Sequence, residues 1–384
     1  MDRDKGLSIQ EHFRDLKDPR IERTKLHALL DIVTIALCAV IAGAETWSGI
    51  AEFGRAKRAW LKTFLALPNG IPSADTFRRV LSRLNPHEFQ RCCVEWLRTL
   101  AEASVGEAPE IKLVHIDGKT ARRSFDRAKG GSPLHLVSAW ASQQRLFLGQ
   151  EAVEAESNEI TAIPRLLELL ELAGAIVTID AIGCQQEIAR QIREAGADYV
   201  LALKGNQHSL HERVRDYFDR IEAHEAQGVK FRCHSTFEEG HGRTERRIYL
   251  TAPAAASIDP ERRWQGLRSV GMVISERTQG GATSIERRYY LSSLPSRPRR
   301  FAQAVRRHWS VENALHWSLD VSFREDDSRI REGRGQENFA LLRRIALSVL
   351  KRDTRTRPGI AIKRQRAGWD NDYLLQLLLG HTSN

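Results

Sequence analysis

The fold of this chain is decided by the stretch Ala175-Ile-Val-Thr-Ile-Asp180. It is a continuous run of strand-forming residues without polar alternation, which is typical of a central strand covered on both faces of a sheet. An acid stands at its end, and Gly183 follows shortly after. The stretch therefore predicts a buried strand that brings a carboxylate to one edge of a sheet.

A similar stretch, Lys112-Leu-Val-His-Ile-Asp117, occurs earlier and also has a glycine, Gly118, after its aspartate. We predict that Asp117 ends this strand. If the two strands lie side by side in a mixed sheet, the carboxylates of Asp117 and Asp180 come within a few ångströms of each other. The two stretches together predict one acidic edge.

The segments around these strands set the order of the remaining core. Further strands are predicted at 135–140, 146–153 and 198–204, and helices at 159–173 and 185–195. The order is β-β-β-α-β-α-β. It predicts an α/β fold with an RNase H-like core, which is a mixed five-stranded sheet flanked by helices.

The rest of the chain divides around this core. We expect an N-terminal helical domain at 1–108, the catalytic core at 109–204 and 299–352, a β-rich insertion at 205–298 and a basic C-terminal tail at 353–384. In the N-terminal part, Ser73 is suited to cap a short basic helix that carries Arg78, Arg79 and Arg83. This pattern fits a helix-turn-helix DNA reader, and it fits equally a solvated helix on a small bundle.

A third acid, Glu312, lies in the middle of a helix predicted over 300–319. We expect this helix to pack across the sheet and to point Glu312 at Asp117 and Asp180. Carboxylate oxygens are the ligands that Mg²⁺ prefers, with Mn²⁺ as a substitute, and two such ions assist an in-line displacement at phosphorus. Each acid alone is better explained as a turn, cap or solvated residue, so the hypothesis rests on their joint placement.

The composition indicates the class of partner. Lys and Arg number 59 against 49 Asp and Glu, a net charge of +10, which suits DNA although many basic proteins never bind nucleic acid. No P-loop, GxGxxG or GxSxG pattern is present, so we expect no nucleotide cofactor. The charged N-terminus lacks a signal-peptide pattern, and the longest apolar stretch, 29–43, is too short for a membrane span. We therefore expect a cytoplasmic protein that does not contact a membrane.

Several residues near the expected site are candidates for DNA contacts. They are Lys119, Arg122, Arg123, Lys204, Asn206, Arg307 and His308, with Trp264 as a residue that could stack on an unpaired base. A solvated loop explains the basic residues as well, and a core position explains Trp264. Trp309 and Trp317 lie eight residues apart, and we expect both to anchor their helix in the core. Asn158 is the candidate cap of the helix at 159–173, and Glu159 is expected to have a structural role at its start, through the helix dipole and capping.

Longer segments make the chain similar to a known family. The segments HIDGKTARRS, SNEITAIPRLL, TIDAIGCQ, DYVLALKGNQ and RRHWSVENALHWSLDVSFREDDSRIR resemble the IS4-like transposases, and within them the ISAs1 or H-repeat-associated transposases. The N-terminal stretch NGIPSADTFRRVLSRL is similar to the helical domain that accompanies this family. The resemblance covers residues of roughly 10 to 350.

The resemblance implies a DDE transposase that binds insertion-sequence ends, cleaves DNA with a divalent metal and transfers strands to target DNA. Asp117, Asp180 and Glu312 match the three metal-binding acids of the family. Pairing two DNA ends implies at least a dimer, associated with the nucleoid when DNA is bound. The wider IS4 group has tyrosine, arginine and lysine around its glutamate, where this chain has Val305, His308 and Leu319.

Because of this departure, the phosphate contacts near Glu312 are open, and Arg307, Arg324 and Arg329 are the alternatives. Two other functions also stay open. One is a catalytically inactive DNA-binding protein descended from a transposase. The other is an RNase H-like nuclease without strand transfer.

Overall fold

The computed structural model describes residues 8–102, 112–125, 132–154, 156–223, 229–240, 242–311 and 315–380. Glu312, the third predicted metal ligand, and the predicted domain boundary at residue 108 both lie outside these ranges. Within them the chain forms one mixed nine-stranded sheet with helices on both faces. The predicted mixed α/β fold is confirmed.

Five neighbouring strands correspond to the predicted core. They are β1 (Lys112–Thr120), β2 (His135–Ala141), β3 (Leu146–Ala152), β4 (Ala175–Ile179) and β5 (Asp198–Leu203). Their order in the sheet is β3-β2-β1-β4-β5. β1, β4 and β5 run parallel to one another, whereas β2 is antiparallel to both of its neighbours.

The insertion extends this sheet and does not form a separate one. Its strands are β6 (Arg232–Gly240), β7 (Arg243–Pro253), β8 (Ser269–Gln279) and β9 (Ala282–Ser292). β9 pairs antiparallel with β5, with Val200 opposite Ser292 and Leu203 opposite Tyr289. The predicted sheet of five strands is therefore too small, because this pairing joins segments far apart in sequence.

Helices cover both faces of the sheet. They are α7 (Glu159–Glu168), α8 (Gln186–Glu194) and α9 (His208–Glu222) on one face and α10 (Pro298–Val311) on the other. Val177 belongs to the core under α7 and α8, whereas Ile176 packs with Phe301 and Val305 of α10. Because side chains alternate along a strand, Thr178 and Asp180 lie on the α10 face together with Ile176.

The remaining helices form a second hydrophobic core at one end of the sheet. They are α1 (Ser8–His12), α2 (Leu29–Ile41), α3 (Trp47–Ala56), α4 (Arg58–Leu61), α5 (Ala74–Leu81), α6 (Pro86–Glu102), α11 (Trp317–Phe323), α12 (Gly335–Arg352), α13 (Ile360–Trp369) and α14 (Asn371–Leu379). The Asn338 side chain of α12 donates to the carbonyls of Leu81 and Leu84, which ties α12 to the N-terminal helices. Among the residues described, none of the helices combines the length and apolar character that a membrane span needs.

The predicted basic helix near the N-terminus is α5, and its predicted cap is present. The Ser73 side chain accepts a hydrogen bond from the Thr76 amide at 3.2 Å. Arg78 forms ion pairs with Asp75 and Glu332, so at least one of the arginines binds acids of its own chain.

Candidate active site

Asp117 and Asp180 lie side by side on neighbouring parallel strands. In the pairing of β1 with β4, Ile116 lies opposite Ile179. Asp117 follows Ile116 and Asp180 follows Ile179, so the two aspartates are neighbours. Asp180 follows the last residue of β4, and its carboxylate accepts a hydrogen bond from the Ile182 amide at 3.2 Å. The structure thus brings the two predicted carboxylates to one edge of the parallel pair.

Asp117 does not end its strand, which corrects the prediction from the sequence. β1 continues to Thr120, because Lys119 pairs with Leu136 of β2 beyond the point where β4 stops. Asp117 is therefore held inside a paired strand, and its position is fixed by the ladder to β2.

An open cavity of about 400 Å³ contains both aspartates. Other side chains with functional groups that line it are Lys204, His211, Glu286, Arg287, Arg288, Tyr289, Tyr290, His308, Trp309 and His316. The cavity therefore lies where the ends of β4 and β5, the strand β9 and the helix α10 meet.

Burial raises the pKa of the Asp180 carboxyl, and the negative charge of Glu159 acts in the same direction. The backbone amides of Ile182 and Gly183 and the charge of Lys204 oppose this rise. A buried carboxylate is costly without a positive partner. Two carboxylates at one edge, one of them partly desolvated, are a donor set that suits a hard divalent cation such as Mg²⁺.

This donor set is not a complete metal site within the described ranges, where no group of three His, Cys, Asp or Glu residues is placed to hold an ion. Asp117 and Asp180 supply two acids, and Glu312 lies outside the ranges. His308 and His316, four residues before and after position 312, both line the cavity.

A chain of hydrogen bonds joins the two aspartate strands to α10. His115 Nδ1 lies 2.6 Å from Thr178 Oγ1, which lies 3.0 Å from His308 Nδ1. The other ring nitrogen of His115 lies 2.9 Å from Ser142 Oγ. Burial lowers the pKa of His308 to about 4, so its ring is neutral at neutral pH. His308, predicted as a DNA contact, is therefore engaged with Thr178.

His316 approaches the first aspartate from the other side. Its Nδ1 lies 3.7 Å from Asp117 Oδ2. Burial first, and then the charges of Arg344 and Lys119, lower the pKa of His316 to about 4. The contact is therefore not an ion pair at neutral pH.

Glu159 lies on the opposite face of β1 from Asp117. Its Oε1 lies 2.8 Å from His135 Nε2, and the carboxylate packs directly on the α-carbon of Gly118. Glu159 is the first residue of α7, whereas Asn158 caps that helix through the Ile160 amide. The predicted cap Asn158 is thus confirmed, and Glu159, an acid in the first turn of α7, contacts the segment that follows Asp117.

The basic residues after Asp117 differ in their surroundings. The Lys119 side chain is 8% exposed, and its ammonium lies 2.8 Å from Asp320 and 3.3 Å from Asp326. Arg122 and Arg123 are exposed and form weaker surface pairs with Asp326 and Asp327. Arg122 and Arg123 are therefore accessible to a phosphate. Lys119 is not, because its ammonium binds Asp320 of α11 and Asp326 of the loop that follows.

Comparisons with known proteins identify the family of this chain. The family model "Transposase DDE domain" matches residues 108–349, and the model "DDE_Tnp_1-associated" matches residues 10–97. The chain belongs to the DDE transposase family. The resemblance to the H-repeat-associated group that the sequence motifs indicated is confirmed.

Full-length relatives of this transposase-family chain occur in Escherichia coli. "Putative transposase YncI" of strain O157:H7 is 38% identical over 97% of this chain and 94% of its own length. "H repeat-associated putative transposase YhhI" of strain K12 is 36% identical over 97% of this chain and 98% of its own length. A shorter relative, "Inactive transposase YbfQ" of strain K12, is 40% identical over 20% of this chain.

The other residues of this transposase-family chain that were predicted to contact DNA differ in their accessibility. Lys204 is exposed and lines the cavity, whereas the Asn206 side chain donates to the Ala181 carbonyl at 2.6 Å and fixes the turn after Asp180. Arg307 is exposed beside the cavity. Trp264 is 5% exposed and belongs to the core, so no face of its ring is available to a base.

The predicted core anchors of the helix are also wrong. Trp309 is 42% exposed, because Phe301 and Val305 bury the other side of α10. Trp317, the first residue of α11, is 58% exposed. The guanidinium of Arg288 lies 4.0 Å above the Trp309 ring at the mouth of the cavity. No local pattern indicates this contact, since Arg288 belongs to β9 and Trp309 to α10.

Proposed function

We propose that this chain binds insertion-sequence ends, cleaves DNA strands with a divalent metal and transfers them to target DNA. Asp117, Asp180 and Glu312 hold the metal in this proposal. The observation that supports it most is the parallel register that sets Asp117 beside Asp180 in one cavity. Membership of the DDE transposase family supports the same reaction class.

The assignment of Glu312 rests on the motif HWSVEN, in which it matches the glutamate of the family. His308 and His316, four residues before and after it in the sequence, both line the cavity. Glu312 would complete the set of three carboxylates.

The reaction consists of two displacements at phosphorus. Water attacks a phosphodiester and releases a 3′-hydroxyl, which then attacks a phosphodiester of the target and releases a new 3′-hydroxyl there. Bound Mg²⁺, or Mn²⁺ in its place, would activate the attacking oxygen and stabilise the leaving oxygen. The chain's own contribution is to fix Asp180 through the Ile182 amide and Asp117 through the β1 ladder.

A basic groove beside the cavity supports DNA as the substrate. We call it the arginine groove, and its arginines are Arg243, Arg247, Arg277, Arg288, Arg306 and Arg307. It shares Arg288 and Trp309 with the cavity of the two aspartates. Arginines contact phosphates without sequence preference, so this groove would orient the strand that enters the site.

The partners follow from the same proposal. The substrate is double-stranded DNA, at insertion-sequence ends and at the target. Two ends must be held together for transfer, so we propose at least a homodimer on DNA. The protein would act in the cytoplasm, on the nucleoid.

One observation favours the alternative of an inactive DNA-binding descendant. Val305 is 4% exposed and Leu319 is fully buried, so neither of these positions can contact a phosphate. Retained binding of end DNA without cleavage in Mg²⁺ or Mn²⁺ would identify that protein. Cleavage without strand transfer would identify an RNase H-like nuclease.

The proposal is tested by nicking of DNA that carries the sequences flanking the gene. Asp117→Asn, Asp180→Asn and Glu312→Gln should each abolish metal-dependent nicking while the circular dichroism spectrum stays that of the wild type. Asp216→Asn and Glu187→Gln are matched controls, because both acids are exposed on helices away from the cavity and should leave nicking unchanged. Full activity in any of the three site variants would refute the assignment.

A further inference from the structure

A second cavity, of about 540 Å³, lies between the N-terminal helices and the loop 324–332 that joins α11 to α12. We call it the loop cavity. Its charged lining consists of Arg78, Arg324, Arg329, Arg331 and Arg343 against Glu45, Asp327 and Glu332. Cations therefore outnumber acids in this cavity, and neither Asp117 nor Asp180 lines it.

Arg343 is the buried member of this set. The residue is 3% exposed, and its guanidinium carbon lies 4.5 Å from the centre of the Phe339 ring. Phe339 in turn packs edge-on against Trp47, which lines the cavity. In the part of the chain that the structure describes, Arg343 Nε has no hydrogen-bond partner. The guanidinium is thus supported by aromatic rings and directed at a cavity.

The two acids whose charges favour the charged form of Arg343, Glu325 and Glu45, are paired with other arginines. Glu325 is fully buried and binds Arg344 at 2.8 Å, and Glu45 lies 3.6 Å from Arg364. Burial lowers the pKa of Arg343 to about 10, which still leaves it charged at neutral pH. A buried guanidinium without its own anion is costly, and a phosphate with two accepting oxygens would match its planar fork.

The rim of the loop cavity is connected to the active site. Arg331 Nε donates to the Arg123 carbonyl at 3.3 Å, and Asp326 of the same loop binds Lys119. Both contacts reach the segment that directly follows Asp117. The exposed arginines of the loop and of this segment therefore share one surface that begins beside the aspartates.

We propose that the loop cavity binds a backbone phosphate of duplex DNA, with Arg343 at its base and Arg329 at its rim. The proposal rests on the proposed function, because it places a second stretch of the DNA that enters the active site. Recognition of a phosphodiester is independent of sequence, so this contact would position the duplex and add affinity. It also gives a role to the segment REDDSRIR, which the three carboxylates leave unexplained.

The test is the salt dependence of DNA binding by the full chain. A fluorescent 40-base-pair duplex is titrated in EDTA, which prevents cleavage, at several KCl concentrations. Loss of one phosphate contact makes the negative slope of log K against log salt shallower by about 0.9. Because both arginines contact the same phosphate, Arg343→Gln and Arg329→Gln should each make the slope shallower by part of this amount and weaken binding at low salt by about five- to tenfold. Arg220→Gln removes an exposed charge on α9 and should bind as the wild type does.

Wild-type slopes in both variants would overturn the proposal. If Arg343→Gln fails to fold, Arg329→Gln decides alone, because Arg329 is exposed on the loop. Thermal melts with inorganic phosphate separate the two sources of the anion. Stabilisation by phosphate that depends on Arg343, together with unchanged DNA slopes, would assign the cavity to a small phosphate ligand and contradict the DNA assignment.

Failure of the proposed function gives a different result. A wild-type chain that binds the duplex but does not cleave it in Mg²⁺ contradicts catalysis and leaves the loop-cavity contact supported by its slopes. A wild-type chain that cleaves, with unchanged slopes in both variants, contradicts the loop cavity alone. A wild-type chain that does not bind the duplex contradicts both.

Discussion

The α-carbon of Gly118 lies directly against the carboxylate of Glu159, so that an added Cβ would stand 2.1 Å from Glu159 Oε1. Gly118 follows Asp117 on β1, and Glu159 opens α7 on the other face of the sheet. This close approach explains why a glycine follows the first aspartate. The small residue lets a helix acid pack under the strand that carries a proposed metal ligand.

Gly118→Ala should therefore displace Glu159 from its bond to His135 and lower the free energy of unfolding by about 1–3 kcal/mol. Removing the clashing group in Gly118→Ala/Glu159→Ala should recover about 1 kcal/mol or more of that loss relative to the sum of the single variants. Urea unfolding of the four proteins measures this coupling. Additive effects of the two substitutions would contradict the contact.

The stability of the fold should fall as the pH drops below about 6.5, in part because of His308. Burial lowers the pKa of His308 from 6.5 to about 4, so between these values the unfolded chain binds a proton that the folded chain does not. Its contribution is fully present above pH 6.5 and is lost as the pH falls towards 4. At pH 5 the loss is about 2 kcal/mol.

His308→Gln removes this titration while its amide can still pair with Thr178. Urea unfolding at pH 7 and pH 5 should then show a smaller fall for His308→Gln than for the wild type. His208→Gln, at an exposed position of α9, should behave as the wild type does. An equal fall in His308→Gln and the wild type would mean that His308 is not held neutral.

Substitution of Lys119 should mainly affect folding stability, whereas substitution of Arg122 should mainly affect DNA binding. Lys119→Met leaves Asp320 and Asp326 without their common cation and should cost about 2 kcal/mol of folding stability. Arg122→Gln removes an exposed group and should cost less than about 1 kcal/mol. In duplex titrations, only Arg122→Gln should make the slope of log K against log salt shallower. A shallower slope of log K against log salt in folded Lys119→Met would show that Lys119 contacts phosphate.

Trp264 and Trp309 should also differ, one in its effect on stability and the other in its effect on DNA binding. Trp264→Ala should cost about 3–5 kcal/mol of stability, because the ring is buried in the core. Trp309→Ala, which removes an exposed ring under Arg288, should cost about 1 kcal/mol and weaken DNA binding. Urea unfolding and duplex titration measure both quantities. The opposite pattern would restore Trp264 as the base-stacking residue.

These residues also show how far the sequence predicts the molecule. The strands that carry Asp117 and Asp180 could be predicted, since each is a short apolar run with an acid at a fixed place. The prediction of one acidic edge depends on the two strands being neighbours, and the structure supplies this condition as a parallel pair. The cap of α5 by Ser73 is local chemistry and was predicted as well.

What could not be predicted depends on partners remote in sequence. The pairing of β5 with β9 turns a five-stranded core into a nine-stranded sheet. The partners of Lys119 lie about two hundred residues away, so its burial has no local signal. Trp309 and Trp317 share a helix face by spacing, but spacing does not tell which face of α10 Phe301 and Val305 bury.

Metal rescue shows whether the side chains of Asp117 and Asp180 hold a divalent metal during DNA cleavage. Asp117→Cys and Asp180→Cys are assayed for nicking in Mg²⁺ and in Mn²⁺, beside the wild type and Asp216→Cys. A thiolate is a poor ligand for a hard ion such as Mg²⁺ and a better one for a softer transition metal. We predict that both site variants are inactive in Mg²⁺ and regain nicking in Mn²⁺, while Asp216→Cys is active in both. Full activity of either site variant in Mg²⁺ would contradict the account.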